Sequence, residues 1–183
     1  AAASEEGVAL WSMGQGQLVE LLASAGEPLC TLAVGPQAPV LFAMDEAGVV
    51  WCWEREGRGA RTQLHRAEPS RIGLELAPDA RSLAVIDAGR VLVLDTQIGQ
   101  VLAERAPARG EATCVRWSDE EDVLLIGTSA GVVEIYEAAR RTVLQEIEVD
   151  EPVEALALDE AGRRVAAARY NVGLWQLPHA EPL

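Results

Sequence analysis

Residues 112–137 read ATCVRWSDEEDVLLIGTSAGVVEIYE, a stretch of three short apolar runs separated by two turns. The runs are Ala112–Trp117, Val123–Gly127 and Val132–Tyr136. Short runs rich in valine, leucine and isoleucine, bracketed by glycine, serine and aspartate, are typical of β-strands. A fourth run follows at Thr142–Ile147, so this part of the chain predicts one unit of four strands.

The same unit recurs along the chain at a nearly constant distance. A glycine or asparagine precedes each third strand, and a large residue closes that strand four or five residues later. The glycine-type positions are Gly7, Gly48, Gly89, Gly131 and Asn171, and the closing positions are Trp11, Trp53, Leu94, Tyr136 and Trp175. Neighbouring glycine-type positions lie 41, 41, 42 and 40 residues apart. Such a period, with several short strands in each repeat, predicts an all-β fold, a β-propeller of about four to four-and-a-half blades.

The repeats divide the chain into blade parts and two terminal segments. We predict a flexible N-terminal segment at 1–6, propeller repeats over 7–177 and a C-terminal tail at 178–183. The blade parts are 7–22, 28–64, 70–104, 111–147 and 152–177. Seventeen strands result, of which Gln17–Leu22 is available to complete the C-terminal blade. In that place it would close a four-bladed ring with one strand left over; the alternative is an incomplete ring, completed either by another chain or by the rest of a longer protein.

Composition and charge exclude several classes of function. Of the 183 residues 49% are hydrophobic and 24% charged, which favours a folded chain over disorder. The formal net charge is −14, and a field of that sign repels phosphate backbones, so we expect no direct binding of nucleic acid. No signal peptide is visible, and no apolar stretch reaches the roughly 18 residues of a membrane span. Cys30, Cys52 and Cys114 are an odd number without metal-site spacing, so we predict free thiols and a cytoplasmic or nuclear location.

No motif for catalysis or for a cofactor is visible. The two histidines, His65 and His179, fall in a predicted loop and in the tail, without a nucleophile and an acid to complete a catalytic set. The acidic turn Asp119–Asp122 lacks the spacing of an EF-hand loop, and no phosphate-binding glycine motif follows a strand. We therefore predict that the chain is not an enzyme and has no catalytic residue, metal, cofactor or small-molecule substrate.

The third repeat resembles the blades of the WD-repeat family. The similarity lies in Cys114–Ser118, Gly127–Gly131 and Val133–Glu137, where the pair Tyr-Glu stands in place of the family's Trp-Asp. The resemblance extends from about Gly7 to Leu177 and implies a propeller that binds other proteins. The Gly-His pair that the family carries ahead of the first strand is missing, so its hydrogen-bond relay cannot form and other propeller branches stay open. We expect each blade to hold together mainly by apolar packing.

Propellers bind partners mainly through the loops between blades and the loops before third strands. In this chain that pattern predicts nine candidate binding residues: Asp45, Arg71, Asp87, Arg90, Glu111, Thr128, Ser129, Arg169 and Tyr170. An arginine-rich loop after Trp53 adds Arg55, Arg58 and Arg61, because guanidinium groups bind carboxylates and phosphates in a bidentate manner. The alternative for this loop is a solubilising role with internally balanced charge.

Large aromatic residues recur at the end of the third strands. Trp51 and Trp53 lie two residues apart and therefore face the same side of one strand. Because Trp11, Tyr136 and Trp175 repeat the position of Trp53, we expect them to pack between blades rather than to form a ligand pocket.

These observations predict a non-enzymatic scaffold for protein–protein interaction, a WD-repeat subunit of a larger assembly. Its predicted partners are other proteins, including a subunit that completes the ring. Two alternatives stay open. One is a small-ligand-binding or enzymatic propeller of the lectin, lactonase or quinoprotein type. The other is a purely structural subunit that shares its open blade with a partner.

Overall fold

A computed structural model describes residues 2–4, 7–12, 14–23, 28–35, 40–54, 61–68, 71–118, 122–159, 164–169 and 171–176. All the regular structure in these residues is β-strand. The strands are β1 (Ala2–Ser4), β2 (Gly7–Ser12), β3 (Gln17–Ala23), β4 (Leu29–Val34), β5 (Val40–Asp45), β6 (Val49–Glu54), β7 (Arg61–Arg66), β8 (Leu74–Leu76), β9 (Ser82–Asp87), β10 (Arg90–Asp95), β11 (Val101–Arg105), β12 (Ala112–Trp117), β13 (Val123–Thr128), β14 (Val132–Glu137), β15 (Thr142–Glu148), β16 (Ala155–Leu158), β17 (Arg164–Ala168) and β18 (Val172–Gln176).

The strands form five antiparallel sheets that follow one another along the chain. The second, third and fourth sheets have four strands each: β4–β7, β8–β11 and β12–β15. In the described residues the first and fifth sheets have three strands each, β1–β3 and β16–β18. In every sheet the order in space is the order in the chain, which is the arrangement of propeller blades. The predicted all-β architecture of repeated four-stranded units is confirmed.

Successive sheets pack against one another. Four buried apolar clusters fill the four interfaces between successive sheets. Between the second and third sheets, for example, Phe42 and Met44 meet Leu83 and Val85. The first strands of the sheets, β4, β8, β12 and β16, contact one another in sequence and so line a common axis. None of the clusters joins the first sheet to the fifth within the described ranges, so the sheets form an open arc.

The central strands are apolar on both faces because both faces are covered. In β13 every residue from Leu124 to Thr128 is buried. Leu125 faces the fifth sheet, whereas Leu124 and Ile126 face the third. Strands that are buried on both faces lose the alternation of apolar and polar residues, and a run of apolar residues results.

The large residues that close the third strands face the preceding sheet. Trp53 and Tyr136 are 1% and 2% exposed, and Trp175 is half-buried against the fourth sheet, so the predicted packing between blades is confirmed for these three. The same prediction is wrong for Trp11, which is 52% exposed. Trp11 points away from the second sheet, and no described sheet covers that side.

Three strand predictions at the chain ends and in the second blade need correction. The described residues contain eighteen strands rather than seventeen, because β1 lies in the segment predicted to be flexible and pairs with β2. The sequence does not predict this strand, because it has only three residues and alanine is not favoured in strands. Strand β3 pairs with β2 in the first sheet and does not complete the C-terminal blade. His65, predicted in a loop, lies in β7, because that strand extends over six residues.

Candidate functional site

Two kinds of loop lie at the same end of the arc: the turns between second and third strands, and the connections between successive sheets. Because neighbouring strands are antiparallel, the turn between the second and third strands lies at the same end as the connection to the next sheet. We call this end the rim. Its described residues are Pro28, 46–48, 67–68, 71–73, 88–89, 106–111, 129–131, 149–154, Arg169 and Asn171.

Two rim turns are held by buried side chains at the end of the second strand. The Asp45 carboxylate accepts hydrogen bonds from the Val49 backbone N–H and from the Trp51 indole N–H, each at 2.8 Å. The Thr128 hydroxyl oxygen accepts a hydrogen bond from the Val132 backbone N–H at 3.1 Å. Asp45 and Thr128 are both buried. Their oxygen atoms satisfy backbone donors that the tight turns would otherwise leave without a partner.

The equivalent residue of the third sheet, Asp87, links two sheets. Its Oδ1 accepts a hydrogen bond from the Glu68 backbone N–H at 2.6 Å, and its Oδ2 lies 3.4 Å from Nη2 of Arg90. Glu68 belongs to the connection that leaves the second sheet, so the buried Asp87 carboxylate fixes this connection over the third sheet. Hydrogen bonds to a charged acceptor are stronger than those between neutral groups.

Asp45, Asp87 and Thr128 are predicted to bind a partner, and the structure places all three away from solvent. All three side chains are buried and accept hydrogen bonds from within the chain. Binding of a partner by these three residues therefore stays a prediction, and the structure gives them a role in holding the turns. They add to the apolar packing that was expected to hold the blades, because buried polar side chains contribute at the rim. The sequence contains a sign of this role, because Asp45 and Asp87 both stand at the end of the second strand, directly before a turn.

Backbone hydrogen bonds join successive sheets along the rim. The Ala88 N–H donates to the Glu68 carbonyl at 2.9 Å, and the Ala112 N–H donates to the Gly89 carbonyl at 2.7 Å. In the next interface the Val153 N–H donates to the Thr128 carbonyl at 3.0 Å. The rim backbone is therefore continuous across three interfaces, and side chains on it are held on a rigid support.

Four of the predicted residues are exposed on the rim: Arg71, Glu111, Ser129 and Arg169. Glu111 and Ser129 are brought together, since the Ser129 hydroxyl oxygen accepts from the Glu111 N–H and the Glu111 carbonyl accepts from the Ser129 N–H, each at 2.9 Å. Arg169 forms an ion pair with Glu154 at 3.3 Å. A fifth residue, Arg90, is half-buried.

The half-buried Arg90 lies between two acidic side chains. Its Nη1 lies 2.8 Å from Oε1 of Glu104, in addition to the contact with Asp87. Glu104 is the main cause of a raised pKa of Arg90. Sequence reasoning missed a second arginine of this kind, Arg109, whose guanidinium contacts Glu146 at 3.2 Å and Glu148 at 2.9 Å. The pairing depends on strands about 40 residues apart, and the sequence does not show it.

An open groove lies on the rim between the fourth and fifth sheets. It has a volume of about 380 Å³, and its polar lining includes Asp150, Glu151, Arg169 and Asn171. The Asn171 side-chain amide donates to Oε1 of Glu151 at 3.0 Å. The groove thus combines carboxylate acceptors with one guanidinium donor, a mixture that fits charged side chains of a protein partner.

Arg61, the described member of the arginine-rich loop, lies away from the rim. Arg61 begins β7 at the opposite end of the sheet, where its guanidinium carbon lies 4.6 Å from the centre of the Trp51 ring. A guanidinium at that distance makes a cation–π contact, so Arg61 covers the exposed side of Trp51. The structure therefore separates Arg61 from Arg71. Arg55, Arg58 and Tyr170 lie outside the described residues.

Away from the rim, two ionisable side chains, Cys114 and Glu75, have pKa values that are raised by burial. Burial raises the pKa of the Cys114 thiol to about 11, so this thiol is neutral and unreactive at physiological pH. Burial also raises the pKa of Glu75, against the opposing charge of Arg116 at 2.7 Å. Among the described residues no group of three or more His, Cys, Asp or Glu side chains could hold a metal ion. The described part of the chain contains no helix that could span a membrane.

Comparison with known proteins supports the fold. Residues of this chain superpose on the β-propeller domain of Myceliophteria thermophila Cps50 (Swd1) with a TM-score of 0.81 and 17% identity, over 98% of this chain and 62% of that one. A chain of a mitotic checkpoint complex superposes with a TM-score of 0.80 and 14% identity, over 96% of this chain and 56% of that one. No protein-family model and no curated protein matches the sequence. This chain therefore spans less than two thirds of the length of these solved propeller chains, and it shares the WD40 β-propeller fold with them.

Proposed function

We propose that this chain, an arc of a WD40-like β-propeller, is a non-enzymatic scaffold that binds protein partners through its rim. One observation carries the proposal. Buried Asp45, Asp87 and Thr128 fix the rim turns, and the same turns and connections present exposed charged side chains on a rigid support. Exposed polar loops on a rigid β framework are a frequent arrangement of binding surfaces.

The chemistry of the rim defines the kind of contact. Arg71 and Arg169 offer guanidinium groups for carboxylates of a partner, and Glu111 offers a carboxylate for its basic groups. Ser129 and the half-buried Arg90 complete the described part of this set. Arg55, Arg58 and Tyr170 stay in the proposal on sequence grounds. The overall charge of −14 steers basic partners toward the chain and increases their rate of association.

The comparisons support a role within an assembly. One of the solved chains of similar shape was determined as part of a mitotic checkpoint complex. By analogy we propose that this chain is a subunit of a multi-protein complex, located in the cytoplasm or nucleus. Three cysteines that form no disulfide are consistent with a reducing compartment. No specific observation favours the small-ligand or enzymatic alternative.

Charge reversal on the rim tests the proposal. The tagged chain is used to capture partners from extracts of its own organism, and Arg71→Glu is compared with Arg140→Glu. Both arginines are exposed and both variants change the charge by the same amount, but Arg140 lies in a turn at the end opposite the rim. We expect Arg71→Glu to reduce capture of at least one stoichiometric partner by about tenfold or more, while Arg140→Glu retains it. Equal capture by both variants, or equal loss, contradicts binding at the rim.

A further inference from the structure

The rim groove between the fourth and fifth sheets contains an aromatic ring. Trp175 and Gly173 both line the groove, and they lie two residues apart on β18, so they share one face of that strand. A Cβ atom on Gly173 would overlap the Trp175 ring, so the indole lies over Gly173. Gly173 is nearer to the rim than Trp175, and the ring is therefore directed along the strand toward the rim. Trp175 is only partly buried, which leaves part of the indole open to the groove.

Two carboxylates of the groove have no positive partner among the described residues. Asp150 and Glu151 belong to the connection between β15 and β16, and no arginine in the described part of the chain lies within ion-pair distance of either. The other two charged side chains of the lining, Glu148 and Arg169, are both paired within the chain. The groove therefore keeps two negative charges that the described residues do not neutralise.

One carboxylate oxygen of Glu151 lacks a hydrogen-bond donor. Oε1 accepts from the Asn171 side-chain amide at 3.0 Å, whereas Oε2 is buried and has no hydrogen-bond partner. A buried charged acceptor without a donor is unfavourable, so a ligand that supplies a donor gains a strong hydrogen bond. Because Glu151 as a whole is only partly buried, rotation of its side chain can present Oε2 to the groove.

The connection that carries the two carboxylates is fixed at both ends. The Val149 N–H donates to the Gly131 carbonyl at 2.8 Å, and the Val153 N–H donates to the Thr128 carbonyl at 3.0 Å. The backbone approaches closely between these points, since a Cβ atom on Gly131 would lie 3.0 Å from the Glu151 carbonyl oxygen. A support of this kind holds the acidic side chains in place before a ligand arrives, which reduces the entropy lost on binding.

We propose that this groove binds an arginine side chain of a protein partner. The planar guanidinium stacks on the Trp175 ring and donates hydrogen bonds to the carboxylates of Glu151 and Asp150. A guanidinium fits better than a lysine ammonium, because it is flat and carries five donors in fixed directions. The volume of about 380 Å³ is near the lower end of the range for small-ligand pockets, roughly 300–1,000 Å³, so the groove takes a side chain rather than a folded domain.

This inference rests on the proposed binding of partners at the rim and adds the chemistry of one contact. It does not depend on what lies beyond the fifth sheet, because every residue it uses lies in the connection after β15 or in β18 and the turn before it.

N-acetylarginine amide, which offers one arginine side chain without charged backbone groups, is the probe for the test. The indole N–H signals of the ¹⁵N-labelled chain are followed by NMR during the titration, and Trp175→Phe and Trp11→Phe assign the two that matter. We expect a saturable shift at Trp175, with an affinity at least about tenfold above that at Trp11. Trp11 is the internal control, since its ring is 52% exposed but lies on the first sheet, away from the groove. N-acetylcitrulline amide, similar in shape but uncharged, is expected to give no saturable shift.

Two variants test the carboxylates. Glu151→Gln and Asp150→Asn remove one charge each with little change of shape, and each is expected to weaken binding of the arginine probe by about tenfold or more. Glu46→Gln makes the same change at an exposed carboxylate in a rim turn of the second sheet, and it is expected to retain binding. Equal weakening in all three variants would mean that overall charge alone attracts the probe, and it would overturn the proposal.

The titration also separates this inference from the proposed function. No saturable shift at Trp175, an equal affinity at Trp11, or equal binding of the citrulline probe would each overturn the arginine site, even where Arg71→Glu abolishes capture of a partner. Saturable binding at Trp175 together with capture that does not depend on Arg71 would support the arginine site and contradict the wider binding surface on the rim.

Discussion

Arg105 and Glu134 form a bidentate ion pair between the third and fourth sheets. Nε of Arg105 lies 2.7 Å from Oε2 of Glu134, and Nη2 lies 2.8 Å from Oε1. The Ala108 backbone N–H also donates to Oε1, at 3.1 Å. Glu134 is buried, and the hydrogen bond with it is the main cause of a raised pKa of Arg105. The pair thus fastens the connection between two blades to a central strand of the second one.

Glu134→Gln is expected to lower the free energy of unfolding by about 3 kcal/mol, because it leaves a partly buried guanidinium without its counter-charge. Chemical denaturation measures this difference. Glu148→Gln is the matched control, since Glu148 also pairs with an arginine but its side chain is mostly exposed. The control is expected to change stability by less than about 1 kcal/mol. Similar losses in both variants would mean that the buried pair does not stabilise the interface.

Trp11 and Trp53 occupy the same position of the repeat in opposite surroundings. Trp53→Ala is expected to cost about 3–5 kcal/mol, because it leaves a cavity between two sheets. Trp11→Ala is expected to cost less than about 1 kcal/mol in the isolated chain, because solvent already reaches half of its side chain. Urea denaturation of both variants measures the two losses. Equal losses would show that Trp11 is covered in solution.

Ala88 has a backbone conformation that suits glycine better. It has a φ of 47° in the turn between β9 and β10, where Gly89 has a φ of 78°. Because a side chain at positive φ is strained, Ala88→Gly is expected to raise the free energy of unfolding by about 1 kcal/mol. Ala139→Gly, in an exposed turn without positive φ, is the control and is expected to give no gain. Thermal unfolding measures both. A loss of stability in Ala88→Gly would contradict the turn geometry.

The buried Cys114 thiol is expected to lower the free energy of unfolding as the pH rises above 9. Its pKa is about 11 in the folded chain, against 9.0 for an unperturbed thiol. Below pH 9 the thiol is neutral in both states, so its contribution is fully present. Between pH 9 and 11 only the unfolded chain ionises, and stability falls by about 2 kcal/mol from this group. The fall is expected to be smaller by that amount in Cys114→Ala, as measured by urea denaturation across this range. The same fall in both proteins would exclude Cys114 as its cause.

The blade architecture could be predicted because it rests on a local and repeated pattern. The distance between Gly48, Gly89 and Gly131 reflects turns that need positive φ, and each of the three glycines has it. The apolar runs between them reflect burial on both faces. Neither feature depends on contacts between distant parts of the chain.

The rim was harder to predict because exposure at a loop depends on neighbouring blades. Asp87 stands in a predicted binding loop, yet it is buried because the connection from the previous sheet folds over it. Trp11 presents the opposite case, since its repeat position predicts burial but no described sheet covers it. For both residues the burial of the side chain depends on the adjacent sheet, and the sequence of a single repeat does not contain that information.

The distance between the first and fifth sheets tests the central claim, that the described sheets form an open arc, most directly. Spin labels are attached at Trp11→Cys and Leu174→Cys after Cys30, Cys52 and Cys114 have been replaced by alanine, and their separation is measured by electron paramagnetic resonance. The open arc predicts a separation far above the roughly 10 Å between packed sheets. A separation close to that of packed sheets would mean that the first and fifth sheets meet, and it would contradict the open arc.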